Sequence, residues 1–134
     1  MKKRLLKMSP FGRHLGMEFL EVGDGSARIR LPYSAELANP SGKLHGGVIA
    51  SLADTAMAVA VGSILGTPGR HSTVKLEIKF KAPVTDGEII AEASVTMQKK
   101  RLFKGEAVVK NGNGQVVATA TGTFLTMNNI PQDE

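Results

Sequence analysis

Residues 39–58 read NPSGKLHGGVIASLADTAMA, and this stretch decides the fold. It opens with turn-forming residues, passes through a His-Gly-Gly triplet and continues as an apolar run from Val48 to Leu65. Apolar side chains lie on nearly all sides of a helix drawn through that run, which is typical of a helix enclosed by other structure. We therefore predict a buried helix from about Gly46 to Leu65, ended by Gly66.

Most of the remaining chain alternates between apolar and polar residues with the period of β-strands. Two strands joined by a turn at residues 23–25 precede the helix, and four more follow it as a predicted meander. The first of these four is predicted to bury one face, formed by Val74, Leu76, Ile78 and Phe80. One apolar helix and one amphipathic sheet bury each other when the sheet wraps the helix. We therefore predict an α+β fold, an antiparallel sheet of about five to six strands wrapped around one long central helix.

The composition is that of one globular domain, which we assign to residues 1–134. The chain is 42% hydrophobic and 22% charged and has no cysteine, so disulfides, thiolate ligands and a cysteine nucleophile are excluded. Residues 1–10 read as a basic lead without the apolar segment of a signal peptide, since Pro10 and Gly12 interrupt the chain where that segment would lie. Residues 127–134 read as a frayed tail.

The expected location is the cytoplasm. The apolar run is nearly long enough to span a membrane, but Asp54 within it would be costly in lipid. A net charge of +5 favours anionic partners, yet one tyrosine and no tryptophan argue against nucleic acid. Three scattered histidines do not suggest a metal site. We expect no membrane partner, no nucleic acid and no metal.

Two glycines, Gly46 and Gly47, begin the predicted helix although glycine is a poor helix former. A helix N-terminus presents unpaired N–H groups and a partial positive charge. Without side chains here, a ligand oxygen can approach those N–H groups closely. The pair therefore suits an anion or oxyanion site, although a tight turn from loop into helix would also explain it.

Asp54 is the one carboxylate within the apolar run. An ionised, unpaired carboxylate in apolar surroundings is costly, and most neighbours one turn away are apolar. This favours a functional role, although a hydrogen-bonded structural role stays open. Gly46 and Asp54 are eight residues apart, about 12 Å along a helix. If both act on one carbonyl group, they come from two chains across a dimer interface.

The segment HGGVIASLAD, with Asn39 upstream and Ser72 at the start of the next strand, closely resembles the hotdog-fold acyl-CoA thioesterases of the phenylacetate-pathway (PaaI-like) family. The resemblance extends to the strand order, the enclosed helix and the closing ATATGTFL strand. It implies hydrolysis of acyl-CoA thioesters to free coenzyme A and a carboxylic acid, with no cofactor beyond the coenzyme A of the substrate. It also implies a homodimer or homotetramer whose active sites are shared between subunits.

The resemblance implies a role for each matching residue. The Gly46 N–H, helped by Gly47, polarises the thioester carbonyl. Asp54 of the facing subunit acts as general base on water or as nucleophile. Ser72 holds the water or the carboxylate, and Asn39 orients the thioester or the water.

The implied catalytic set also includes His45, which supports the loop and the oxyanion site, while His14 and His71 have weaker claims. Coenzyme A carries phosphates, so its binding needs cations at the pocket mouth. Arg70 is one candidate, and the others surround a turn between two strands: Lys99, Lys100, Arg101 and Lys104. A solvated basic turn would explain the same residues.

Two other functions stay open. A hotdog dehydratase or hydratase would act on the same thioesters, but the set of Asn39, Gly46, Asp54 and Ser72 favours hydrolysis. A non-catalytic acyl-CoA-binding sensor would need the pocket and the cations but not Asp54. The acyl group also stays open between phenylacetyl, hydroxylated aromatic and medium-chain groups.

Overall fold

The computed structural model describes residues 7–66 and 70–126. The predicted tail and the first six residues of the basic lead lie outside the described residues. In chain order the elements are α1 (Pro10–Leu15), β1 (Glu18–Gly23), β2 (Ser26–Pro32), a 3-10 turn (Ala35–Leu37), α2 (Gly46–Leu65), β3 (His71–Phe80), β4 (Glu88–Lys99), β5 (Leu102–Asn111) and β6 (Val116–Thr126).

The six strands form one antiparallel sheet in the order β1-β2-β4-β5-β6-β3. Helix α2 contacts every strand, so the sheet wraps around it. Fully buried Leu52 and Met57 of α2, with Phe103 and Phe124 of the sheet, fill the space between the two layers. The predicted α+β fold with one long central helix is confirmed.

Helix α2 begins and ends where the sequence predicts. Gly66 ends it in the left-handed conformation at φ 78, which glycine adopts without steric cost. The helix is long and apolar enough to cross a membrane, with a mean hydropathy of 1.9, and 56% of its apolar window is buried within the protein. Enclosure by the sheet accounts for this apolar character.

Strand β3 does not lie where a meander would put it. It pairs with β6 at the edge of the sheet instead of with β4, so the meander prediction holds only for β4 to β6. The chain then crosses the end of the sheet: Lys81 N–H donates to the Val117 carbonyl at 2.8 Å, and the carbonyl of buried Val84 accepts from Leu44 N–H at 2.8 Å. A crossing segment and a hairpin loop share the same turn-forming composition, so the sequence does not distinguish them.

A β-bulge at Val74 shifts the register of β3 against β6. Thr73 pairs with Phe124 but Lys75 pairs with Thr123, which leaves Val74 as an extra residue. Val74 is 56% exposed, so the prediction that it belongs to a buried face is wrong. Strict alternation does not reveal an inserted residue, because a bulge is defined by the partner strand.

The bulge changes which residues of β3 face the helix. Before the bulge, His71 and Thr73 contact α2. After it, Leu76, Ile78 and Phe80 pair with buried residues of β6. Because β3 is an edge strand, Leu76 is still 36% exposed and Phe80 53% exposed. The apolar face predicted to be buried is therefore largely uncovered in the single chain.

Helix α1 (Pro10–Leu15) lies where the sequence was interpreted only as lacking the apolar segment of a signal peptide. Ser9 caps this helix, and its hydroxyl accepts from Gly12 N–H at 3.0 Å. Pro10 stands at the first turn, where its missing N–H is no loss. The Ser-Pro pair is itself a helix-start signal.

Replacing Ser63 with alanine should lower the free energy of unfolding by about 1–3 kcal/mol. The buried Ser63 hydroxyl accepts from Gly25 N–H at 2.8 Å and donates to the Ala60 carbonyl at 2.7 Å. Alanine would leave the buried N–H of the β1–β2 turn without an acceptor. Urea unfolding measures the change. Ser51→Ala is the control, because its hydroxyl bonds to the Gly47 carbonyl on an exposed turn, and it should cost less than about 0.5 kcal/mol. Equal losses would contradict the prediction.

Candidate active site

His45 joins the preceding loop to the start of α2. Its backbone N–H donates to the Leu37 carbonyl at 2.9 Å, and its Nδ1 accepts from Gly47 N–H at 2.8 Å. The imidazole thus caps the helix in the way that Ser or Asp does elsewhere. Because Nδ1 accepts here, it carries no proton.

The two glycines at the helix start have different roles. The Gly47 N–H is taken by His45, which corrects its predicted share in binding the substrate. The Gly46 N–H has no acceptor among residues 7–66 and 70–126. A Cβ added at Gly46 would lie 3.4 Å from the ring of Phe80, and one at Gly47 would lie 2.9 Å from His45 Nδ1. Gly46 therefore supplies the N–H that is open to a ligand.

Asp54 lies two turns further along α2 and is held by Thr73. The Thr73 hydroxyl donates to Asp54 Oδ1 at 2.8 Å, and this bond does not involve the second oxygen, Oδ2. The resemblance implied that Ser72 would hold the water or the carboxylate, and the structure gives the carboxylate a contact with Thr73. Neighbouring residues of a strand point to opposite faces, so Thr73 faces α2 while exposed Ser72 faces away from it. Sequence reasoning missed Thr73 because the register of β3 decides between two adjacent hydroxyls.

His71 lies on the same side of β3 as Thr73. Its Nε2 is 2.9 Å from the Ala58 carbonyl oxygen, and its ring meets Phe124 edge-on with 6.0 Å between ring centroids. Burial lowers the pKa of His71 from its ordinary value of 6.5, although the Ala58 carbonyl and the Asp54 charge act in the opposite direction. His14, in contrast, is exposed on α1.

Asn39 is fixed by its own loop. Its Oδ1 accepts three hydrogen bonds, from Ser41 N–H at 3.0 Å, from the Ser41 hydroxyl at 2.9 Å and from Lys43 N–H at 3.1 Å. The bridge between Ala38 and Leu44 closes this loop immediately before the helix start. Since the amide oxygen is occupied, Asn39 can offer a ligand only its NH₂ group, as a donor.

The predicted cations lie at the end of the sheet where β3 begins. The Arg101 carbonyl, in the β4–β5 turn, accepts from Thr126 N–H at 3.0 Å, and Thr126 pairs on its other side with His71. The turn is therefore one strand away from the β3 residues that contact Asp54. The cations at this end are all exposed: Arg70, Lys99, Lys100, Arg101 and Lys104.

The arrangement provides acid–base and oxyanion chemistry. It presents a helix-start N–H that is open to a ligand and a carboxylate held through one oxygen, about 12 Å apart along α2. In the described parts of the chain, no three His, Asp or Glu side chains come together in a way that could hold a metal ion.

Comparisons with known proteins agree with this fold. The family model of the thioesterase superfamily matches residues 41–118. A "putative esterase" of Saccharolobus solfataricus is 31% identical over 121 residues, which is 90% of this chain and 80% of that protein.

Solved structures give the same result. A conserved protein of Pseudomonas aeruginosa superposes with a TM-score of 0.82 at 34% identity, covering 89% of this chain and 94% of that one. The PaaI protein from the phenylacetic acid degradation operon of Escherichia coli superposes with a TM-score of 0.83 at 25% identity, covering 91% and 87%. Because its sheet wraps one long helix and the family model matches more than half of its residues, the chain belongs to the thioesterase superfamily, among the PaaI-like hotdog thioesterases.

Proposed function

We propose that the protein hydrolyses acyl-CoA thioesters to free coenzyme A and a carboxylic acid. Membership of the thioesterase superfamily indicates a hydrolase of thioesters. The observation that carries the proposal further is the pair of groups on α2, a Gly46 N–H that has no acceptor in the described chain and an Asp54 carboxylate oriented by Thr73.

Gly46 acts on the thioester carbonyl. When water or a carboxylate attacks the carbonyl carbon, negative charge develops on the carbonyl oxygen. A backbone N–H at a helix N-terminus stabilises that charge through its own dipole and that of the helix. His45 fixes the direction of this N–H, because it caps the next residue of the same turn.

Asp54 supplies the base or the nucleophile. As a base, its Oδ2 takes a proton from a water molecule whose oxygen attacks the carbonyl carbon. As a nucleophile, it attacks the carbonyl itself, and water then hydrolyses the resulting anhydride. In both routes the bond from carbon to sulfur breaks and coenzyme A leaves as a thiol. Thr73 orients the carboxylate, and the Asn39 NH₂ group donates to the thioester or the water.

The active site is formed between two copies of the chain. Gly46 and Asp54 of one chain are too far apart on one helix to act on a single carbonyl group. The exposed edge of β3, with Leu76 and Phe80 partly uncovered, is suited to pairing with a second copy. A homodimer, or a homotetramer built from dimers, would bring Gly46 of one subunit to Asp54 of its partner.

The cations at the β4–β5 turn bind the phosphates of coenzyme A. Their side chains are exposed and lie one strand away from the start of β3. A phosphate attracts several cations at once, and Arg101 adds the capacity for two parallel hydrogen bonds. Arg70, just before β3, lies at the same end of the sheet.

Asp54→Asn should lower kcat by about 10²- to 10⁴-fold, the usual contribution of a positioned acid or base. Asparagine keeps an acceptor for Thr73, so the fold should persist. The assay is release of coenzyme A thiol from phenylacetyl, hydroxylated aromatic and medium-chain thioesters, followed with a thiol-reactive dye. The chain has no cysteine, so the dye reports product alone.

Asp86→Ala is the matched control, because Asp86 is an exposed carboxylate in the segment before β4. Its rate should stay within about twofold of the parent. A loss below threefold in Asp54→Asn would remove Asp54 from the mechanism. No release from any thioester, with acyl-CoA still bound, would favour a binding protein, and an enoyl thioester as product would indicate a dehydratase.

Arg101→Glu should raise the KM for coenzyme A thioesters by about tenfold and leave kcat within about twofold. The charge reversal acts on the phosphates and not on the reacting carbonyl. Lys7→Glu makes the same change in net charge at an exposed residue before α1 and should leave both constants near the parent values. An unchanged KM in Arg101→Glu would place the phosphate site elsewhere.

A further inference from the structure

His71 is a partly buried titratable residue near Asp54 that the proposed reaction does not use. Its Nε2 contacts the Ala58 carbonyl oxygen at 2.9 Å. A carbonyl oxygen only accepts hydrogen bonds, so Nε2 carries the proton. Its Nδ1 is buried and has no hydrogen-bond partner in the described chain. The neutral ring therefore fits this site, whereas the protonated ring would bury an N–H without an acceptor.

His71 and Thr73 hold α2 at two points one helical turn apart. Thr73 bonds to Asp54, and His71 bonds to Ala58, four residues further along the helix. Four helical residues rise about 6 Å, and two strand residues rise about 6.6 Å. Because the two spacings match, the bond of His71 fixes the same register in which the Thr73 hydroxyl reaches Asp54.

We propose that His71 is a positioning residue. Its neutral Nε2–H form holds the start of β3 against α2 and so keeps the Thr73 hydroxyl hydrogen-bonded to Asp54. Protonation of the ring releases this hold. This inference rests on the proposed function for its effect on catalysis. It adds a role for a residue outside the reacting groups, exerted through Thr73.

The surroundings of the ring set the direction of its pH dependence. From α2, the charged group that faces the His71 ring is Asp54. From β6, the neighbours of the ring are Phe124 and Thr126, which do not titrate. Arg70, which precedes His71 in the chain, is exposed. Burial outweighs the Ala58 carbonyl and the Asp54 charge, so the pKa of His71 is lowered from 6.5. A lowered pKa means that the unfolded or opened state binds the proton better. The hold is therefore complete above about pH 6.5 and is lost as pH falls through the lower pKa of the folded state.

Two variants separate the hydrogen bond from the titration. His71→Phe keeps a ring against Phe124 but removes the donor, and it should lower kcat about tenfold at pH 8 with KM within about twofold. His71→Gln places an amide N–H where Nε2 was and does not titrate. It should keep at least about half of the parent kcat and lose the part of the acid decline that the parent shows below pH 6.5.

A double variant tests whether the effect passes through Thr73. In a Thr73→Val background, His71→Phe should cost less than about twofold more in kcat, because the group that it positions is already gone. His14→Gln, at an exposed histidine of α1, is the control and should reproduce the parent pH profile. The proposal would be overturned if His71→Phe kept the parent kcat and the parent decline of activity at acid pH. It would also be overturned if the loss of kcat in the double variant equalled the product of the losses in the two single variants.

Nitrogen NMR of the His71 ring tests the inference on the protein without substrate. The expected result is the Nε2–H form at pH 7, with a Thr73 amide signal that moves as the ring titrates in the parent and stays fixed in His71→Gln. An Nδ1–H form, a charged ring at pH 7 or an unmoved Thr73 signal would overturn the inference even if the enzyme is active. If the spectra are as expected but the protein hydrolyses no thioester, the proposed function is refuted and the inference that His71 holds β3 stands.

Discussion

The hydrogen bond from the Thr73 hydroxyl to Asp54 is the contact through which the fold supports the proposed chemistry. It requires helix α2 to lie against the sheet, so that its single carboxylate, which is partly exposed in the single chain, meets a strand. It also requires β3 at the sheet edge and the extra residue Val74, which sets the register of that strand. A carboxylate held through one oxygen can use the other for the reaction.

In the proposed mechanism, the position of both groups on α2 divides the site between two chains. The Gly46 N–H lies at the helix start, where His45 takes the neighbouring N–H and leaves this one to a ligand. Asp54 lies about 12 Å further along the same rigid helix, and no bending of a loop brings the two together. The partly exposed apolar residues of β3 mark the edge along which a second copy would complete the site. Under this proposal, the buried helix α2 stabilises the fold, and association of two copies would complete the site.

Local signals in the sequence predicted the helix and most strands. Features that depend on residues far away in the chain were not predicted. The glycine pair and Gly66 fixed the bounds of α2 because caps depend on neighbouring residues. The position of β3 beside β6, and the bulge at Val74, depend on a partner strand whose paired residues are 38 to 55 positions away, which alternation does not encode. For the same reason Gly46 and Asp54 were identifiable as site candidates from their own helix. Thr73 was not distinguishable from Ser72, and the capping of Gly47 by His45 was visible only in the structure.

The most direct test of the shared site mixes two inactive variants. Gly46→Pro removes the proposed oxyanion N–H. Proline is compatible with the first position of a helix, and His45 already has the extended backbone that a following proline requires, with φ −61 and ψ 135. Asp54→Asn removes the proposed base. After the two proteins are unfolded and refolded together, random pairing should restore about a quarter of the parent activity, because half of the dimers are hybrids with one intact site each. Activity that stays at the level of the separate variants, with both folded and hybrid dimers present, would contradict a site formed by Gly46 of one chain and Asp54 of the other.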